Sequence, residues 1–215
     1  MVNRKERKQE KLLERDLVKV ILFGVALVIL YFIMSYYFKS FNHFEYEGLS
    51  FTRERFDKDT LYHYYYYYTD SAGQLIQYNL YLHNDPRTNN VSIGGDPLLL
   101  GKRYVYLTFD DSFPDYCRYT GSSVVDLNLF LKQNQLTVFS GVTNETNAEE
   151  TNREYITCES QPSSSEVFEF RGGNVTEIFI DDNCHRIYIG PDCAVRDAVE
   201  KLKVQIIIEA RKNNL

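Results

Sequence analysis

The segments YVYLTFDDSF (residues 104–113), SSVVDLNLFLKQ (122–133) and LTVFSG (136–141) together decide the fold. Residues 104–109 are aromatic, β-branched or leucine, a composition that suits a pleated, half-buried strand. In residues 124–133, Val124, Leu127 and Leu131 recur on one helical face, and Ser122 or Ser123 stands where an N-cap belongs. Residues 136–141 return to strand composition. A strand, a helix and a second strand in close succession predict a right-handed βαβ unit with parallel strands.

Upstream, LYHYYYYYT (61–69) and QLIQYNLYL (74–82) flank the turn DSAG (70–73) and read as a β-hairpin. Alternation puts Tyr64, Tyr66 and Tyr68 on one side of the first strand and Tyr65 and Tyr67 on the other. Core or packed edge is the simpler reading of this row; a carbohydrate or protein contact face is the sharper one. Residues 39–60 read as a mixed linker with a short strand at 44–51. Residues 84–87 (NDPR) end the hairpin, because proline lacks a donor and restricts the residue before it.

Downstream, 143–153 reads as a loop or short helix. Short strands are expected at 155–158, 167–170, 176–180 and 185–189, with a break at Ser163, Ser164 and Ser165. A closing helix over 192–211 carries Val195, Val199, Leu202 and Ile206 on one face. No repeat is found at a period of 20–50 residues. The expectation is an α/β class, with α+β as the alternative: a mixed-sheet extracytoplasmic domain with two helices over 61–215, large enough for its own core.

Residues 20–38 contain no charged side chain. As a helix they span roughly 28 Å, close to the ~30 Å hydrocarbon thickness of a bilayer. Seven basic residues precede the run (Arg4, Lys5, Arg7, Lys8, Lys11, Arg15, Lys19), and Lys39 is the one basic residue directly after it. The positive-inside rule then puts the tail, residues 1–19, in the cytoplasm and the C-terminal part outside. The apolar run exceeds a signal-peptide core and Met34–Tyr37 offers no small-x-small cleavage site, so an uncleaved single-pass anchor is expected. Arg7–Lys11 and Lys11–Arg15 are like-charged at helical spacing, so the tail is expected to extend the membrane helix rather than stand alone. Gly24 has no small residue four positions on and gives no dimer-packing signal.

The net charge of −6 divides unevenly: the tail has seven basic against four acidic residues, which leaves −9 for residues 20–215. An acidic ectodomain argues against nucleic acid as a partner. The expected partners are the bilayer through 20–38 and a surface protein. All four cysteines (Cys117, Cys158, Cys184, Cys193) follow the anchor and none forms a C-x-x-C pair. In an oxidising compartment they read as two disulfides, with three connectivities open. Sequons start at Asn90, Asn144 and Asn174.

For chemistry, Asp110, Asp111 and Asp115 follow a parallel strand, where ligands of open α/β sheets bind. Three carboxylates so close in sequence could hold Ca²⁺ or Mg²⁺, although the run is not an EF-hand loop and Asp is a common turn former. Cys184-His185 with Cys158 could form a thiol–imidazole pair; a disulfide plus a strand histidine is simpler. No phosphate loop, nucleophile elbow, zincin or kinase signature is present, so no catalytic residue and no cofactor is assigned.

The segments YNLYLHNDPR (78–87), YVYLTFD (104–110) and ITCE (156–159) resemble a group of archaeal single-pass membrane surface proteins with no assigned activity. The resemblance implies an extracytoplasmic setting and a Cys158–Cys184 bridge, with no site residue attached. Under that pairing, Cys117 and Cys193 would tie the βα loop to the start of the last helix. An interaction or assembly module is the leading expectation for function. The rival is a metal-binding protein or enzyme using Asp110, Asp111 and Asp115.

Overall fold

Over residues 75–82, Tyr78, Leu80 and Leu82 are buried while Leu75, Gln77, Asn79 and Tyr81 face outward, the period-two pattern of a sheet with one covered face. The structure, a computed structural model, describes residues 4–70, 72–97, 99, 102–161 and 164–213. Ser163 lies outside them, as do the side chains of residues 4–15 and 38–41, which include most of the basic tail. The chain forms two compact units, Met1–Phe44 and Glu45–Leu215. The first is built on α1 (Arg4–Asn42), whose segment Asp16–Tyr37 is long and apolar enough to cross a membrane.

The second unit is mixed α/β with two sheets rather than one. β1 (His43–Tyr46), β2 (Leu49–Phe56), β3 (Asp59–Thr69) and β4 (Leu75–Leu82) form a four-stranded sheet in sequential order, with β3 antiparallel to both neighbours. The stretch expected as a linker therefore supplies β1, β2 and the start of β3. Glu47 and Gly48 adopt positive φ between β1 and β2, a tight turn hidden in a sequence without other hairpin signals.

The larger sheet contains β5 (Ser92–Gly94), β6 (Tyr104–Phe109), β7 (Thr137–Val142), β8 (Glu154–Tyr155), β9 (Ser165–Gly172), β10 (Glu177–Asp181) and β11 (Cys184–Ile189). Its order is β5-β10-β11-β9-β6-β7-β8. β6 pairs in parallel with β7 on one side and β9 on the other, so the βαβ unit is present and strand order reverses between β6 and β9. The unit's helix, α2 (Thr120–Gln133), starts earlier than Ser122 or Ser123 would place it. Tyr119 precedes it at φ 69°, and the Ser122 hydroxyl donates to the Tyr119 carbonyl instead of capping. The segment is held from outside: Cys117 is bonded to Cys193, and the Arg196 guanidinium lies 3.9 Å from the centre of the Tyr119 ring.

Two further helices complete the unit, α3 (Glu145–Thr151) and α4 (Val195–Lys212). Besides Val195, Val199, Leu202 and Ile206, α4 buries Glu200, Lys203, Val204, Ile207, Ile208 and Glu209. A helix buried almost all round needs cover on opposite sides. α4 packs against α2 and against β10 of the larger sheet. The small sheet meets the helices where Tyr78 of β4 lies edge-on to Phe130 of α2, Tyr66 of β3 donates to Asn134 at 2.6 Å, and Arg211 of α4 donates to the Gly48 carbonyl. The helices thus form the middle layer between two sheets. Ile156 and Cys158, in the segment after β8, pack with Val167, Cys184 and Tyr106 of the larger sheet. A Cβ on Gly141 would lie 2.7 Å from the Glu154 carbonyl oxygen, so the close approach of this segment requires glycine in β7. Cys158 is bonded to Cys184, which ties the segment to β11.

The end of β4 is fastened to α4 by Glu200, a carboxylate only 3 % exposed. It accepts from the backbone amides of His83 (2.7 Å) and Asn84 (3.1 Å) and from the Asn84 side chain (3.0 Å). Removing the acceptor leaves three partly buried donors without it, and hydrogen bonds to charged groups contribute more than neutral ones. Glu200→Ala is expected to lower unfolding stability by about 2–3 kcal/mol in urea titrations. A loss below about 0.5 kcal/mol, the level of an ordinary surface substitution, contradicts this role.

Candidate functional site

The tyrosine row divides as alternation requires. Tyr64 is 7 % exposed, and Tyr66 and Tyr68 are half-buried toward the helices, whereas Tyr65 and Tyr67 are 52 % and 55 % exposed on the other side. Burial pushes the Tyr66 and Tyr78 hydroxyls well above the usual phenol range, so these two stay neutral and serve packing.

The outer side gathers residues from three strands. Register places Tyr81 of β4 opposite His63 of β3, and their rings stack at 4.5 Å and 14°. The Phe56 ring of β2 stands edge-on to Tyr81 at 6.3 Å; His63 is followed by Tyr65 at 6.0 Å and Tyr65 by Tyr67 at 5.9 Å. A continuous aromatic ladder therefore runs across the solvent side of the small sheet. Polar neighbours fix its rotamers. His63 Nδ1 lies 2.7 Å from Glu54 and Nε2 lies 3.0 Å from Asn79 Oδ1. The Tyr67 hydroxyl donates to Gln77, whose amide donates to Asn79. Rings already ordered in this way lose little rotamer freedom on binding. Sequence alternation exposes Tyr65 and Tyr67; His63, Tyr81 and Phe56 join them only through cross-strand register. The alternation within 75–82 was the available signal for Tyr81.

The second location is the strand-order reversal, where Asp110 follows β6 beside the end of β9. The Asp110 amide donates to the Phe170 carbonyl. Its carboxylate accepts from the Ser112 amide and hydroxyl and from the Thr143 hydroxyl at 3.1 Å. Burial raises the Asp110 carboxyl, but these bonds, with Arg171 nearby, outweigh it and hold the group below its ordinary range. Asp111 accepts from Asn144 and Asn147, and Asp115 is exposed. Among the described residues, the trio of His, Cys, Asp or Glu ligand atoms within 4.8 Å of one another is Cys158, Glu169 and Cys184, not the three aspartates. Its cysteines are bonded to each other and offer no thiolate. A shallow cleft of about 340 Å³ adjoins the reversal, lined by Ser112, Pro114, Tyr116, Gly172, Gly173 and Asn174 among others. A Cβ on Gly172 would collide with the Ser112 carbonyl, so that glycine serves the close approach of two loops.

Of the sequon asparagines, Asn90 and Asn174 are exposed, while Asn144 caps α3 by accepting from the Asn147 amide. The Cys184-His185 motif places Cys184 in its disulfide and His185 in the core, 2.6 Å from Glu166, which also pairs with Lys102. No protein-family model, curated protein or solved structure matches the chain.

The state of Asp110 makes the turn pH-sensitive with a definite sign. A carboxyl whose folded pKa is depressed stabilises the fold above its unfolded value, about pH 4, and ceases to do so as pH falls through the folded value. In calorimetric melts, Asp110→Asn should lower Tm near pH 7, and the gap to the parent should close as pH drops below about 4. A gap that stays constant from neutral to acidic pH overturns the assignment.

Proposed function

We propose that the protein is a single-pass, membrane-anchored assembly module whose ectodomain binds a partner protein through the outer side of the small sheet. The observation that carries this reading is the aromatic ladder in which exposed Phe56, Tyr81, Tyr65 and Tyr67 are joined through the half-buried ring of His63. Aromatic enrichment with depletion of charge marks the centre of protein interfaces, and here it stands on a chain that is strongly acidic outside the tail. Preorganised tyrosines supply large contact area at low entropic cost.

The anchoring part of the proposal is supported by the 22-residue apolar segment Asp16–Tyr37 and by two disulfides, which belong to oxidising compartments. The basic tail supports a cytoplasmic N-terminus with the second unit outside, as the positive-inside rule expects. The rival reading, a metal-binding protein or enzyme built on Asp110, Asp111 and Asp115, is favoured by the position of the loop at the strand-order reversal. The bonds already made by Asp110 and Asp111 are those of turn residues, and for that reason the aromatic side is preferred.

A photo-crosslinking amino acid placed at Tyr67 in native membranes should give a discrete protein adduct, and the same group at exposed Glu149 should not. Tyr65→Ala should cut the Tyr67 adduct roughly tenfold, as expected for loss of one buried aromatic anchor. Identical adducts from both positions, or none from Tyr67, contradict the proposal.

A further inference from the structure

We propose that two copies of this chain join edge to edge through β4, continuing the small sheet across a two-fold axis. The inference rests on the reading of the ectodomain as an assembly module and names one of its partners, a second copy of itself.

β4 is a terminal strand of its sheet. The edge strands β1, β5 and β8 have four, three and two residues, the short edges by which proteins discourage strand addition. β4 has eight, LIQYNLYL, with no charge, proline or glycine. In a chain that is 25 % charged, this is, among the described edge strands, the one without a protective residue.

The direction of its backbone groups follows from the turn. Thr69 lies opposite Leu75, so Asp70 lies opposite Gln74, and the Asp70 amide donates to the Gln74 carbonyl at 2.9 Å. In an antiparallel ladder, hydrogen-bonded and non-bonded pairs alternate. Ile76, Tyr78, Leu80 and Leu82 therefore bond to β3, while Leu75, Gln77, Asn79 and Tyr81 aim their N–H and C=O groups at the free edge. Among the described residues, no other element takes up those groups. Their side chains are all exposed.

Antiparallel pairing of β4 with its own copy, centred on Tyr78, puts Leu75 opposite Tyr81 and Gln77 opposite Asn79, twice over. Every outward-pointing group then has a partner, giving about eight inter-strand hydrogen bonds. Apolar meets aromatic at both ends, amide meets amide in the middle, and no like charges face each other. The contact is isologous and closes at two copies. It also brings the two aromatic ladders onto one continuous surface, which enlarges the face proposed for the partner protein.

The test uses the full chain in detergent or nanodiscs. Gln77→Cys and Asn79→Cys are made separately, mixed and mildly oxidised. The expected result is a disulfide-linked pair of twice the mass from the mixture and little from either variant alone, since each position faces the other and not itself. Leu75→Lys, at a side chain 71 % exposed that lies opposite Tyr81 of the second copy, should weaken association of the otherwise unmodified chain by about tenfold or more, with its thermal melt unchanged. A monomer mass at all concentrations, equal crosslinking by the single variants, or association indifferent to Leu75→Lys overturns the proposal. If that happens while the Tyr67 adduct to another protein persists, the strand pairing falls and the assembly-module reading stands.

Discussion

The buried carboxylate of Glu200 is the constraint on which the rest of the second unit depends. An ionised group removed from water is tolerated only when hydrogen bonds replace its hydration. Here the replacements come from the chain just beyond β4, so satisfying the charge also fixes where the small sheet ends against α4. Asn84 extends the fastening by donating to Asp197 one turn earlier on the same helix. Lys203, 1 % exposed, repeats the logic on the neighbouring helix by pairing with Asp126 of α2. Charged groups thus set the alignment of layers whose stability comes from apolar burial. The outer side of the sheet inherits that rigidity, and its ladder is presented as a fixed surface.

How far these features can be read in the residues depends on whether their cause is local. The βαβ unit follows from a change of hydrophobic period between residues 104 and 141, and its strands pair as that pattern requires. The hairpin follows from alternation around a turn in which Asp70 bonds the amides of Ala72 and Gln74. What escapes is what other elements impose. α4 shows one apolar stripe to a helical-wheel reading, yet Val204, Ile207 and Ile208, off that stripe, are buried as well. β1 and β2 read as a linker with one short strand at 44–51, which the turn at Glu47 and Gly48 divides; charged residues such as Arg53, Glu54 and Arg55 obscure a strand that gains its place from β3. β8 has only two residues and carries no periodicity to detect.

The two candidate locations differ in the same way. At the Asp110 loop, local turn chemistry explains the carboxylates: their bonds go to residues of adjacent loops, and the glycine beside them answers a steric need. On the small sheet, half of a tyrosine row is spent on the core and the other half is left in water without a structural reason. Exposed aromatic rings cost solvation that a fold alone does not require. That asymmetry is the ground on which the proposal prefers the aromatic side.

The central claim, that the small sheet is fixed to the helical layer and moves as one body with it, is tested most directly by native-state hydrogen exchange. The account predicts that the ladder amides of β3 and β4 that bond each other exchange only through global unfolding, with the same opening free energy as β9 and β11. Exchange of β3 and β4 through a separate, lower-energy opening would contradict it, because the aromatic face would then be a detachable flap rather than a rigid surface.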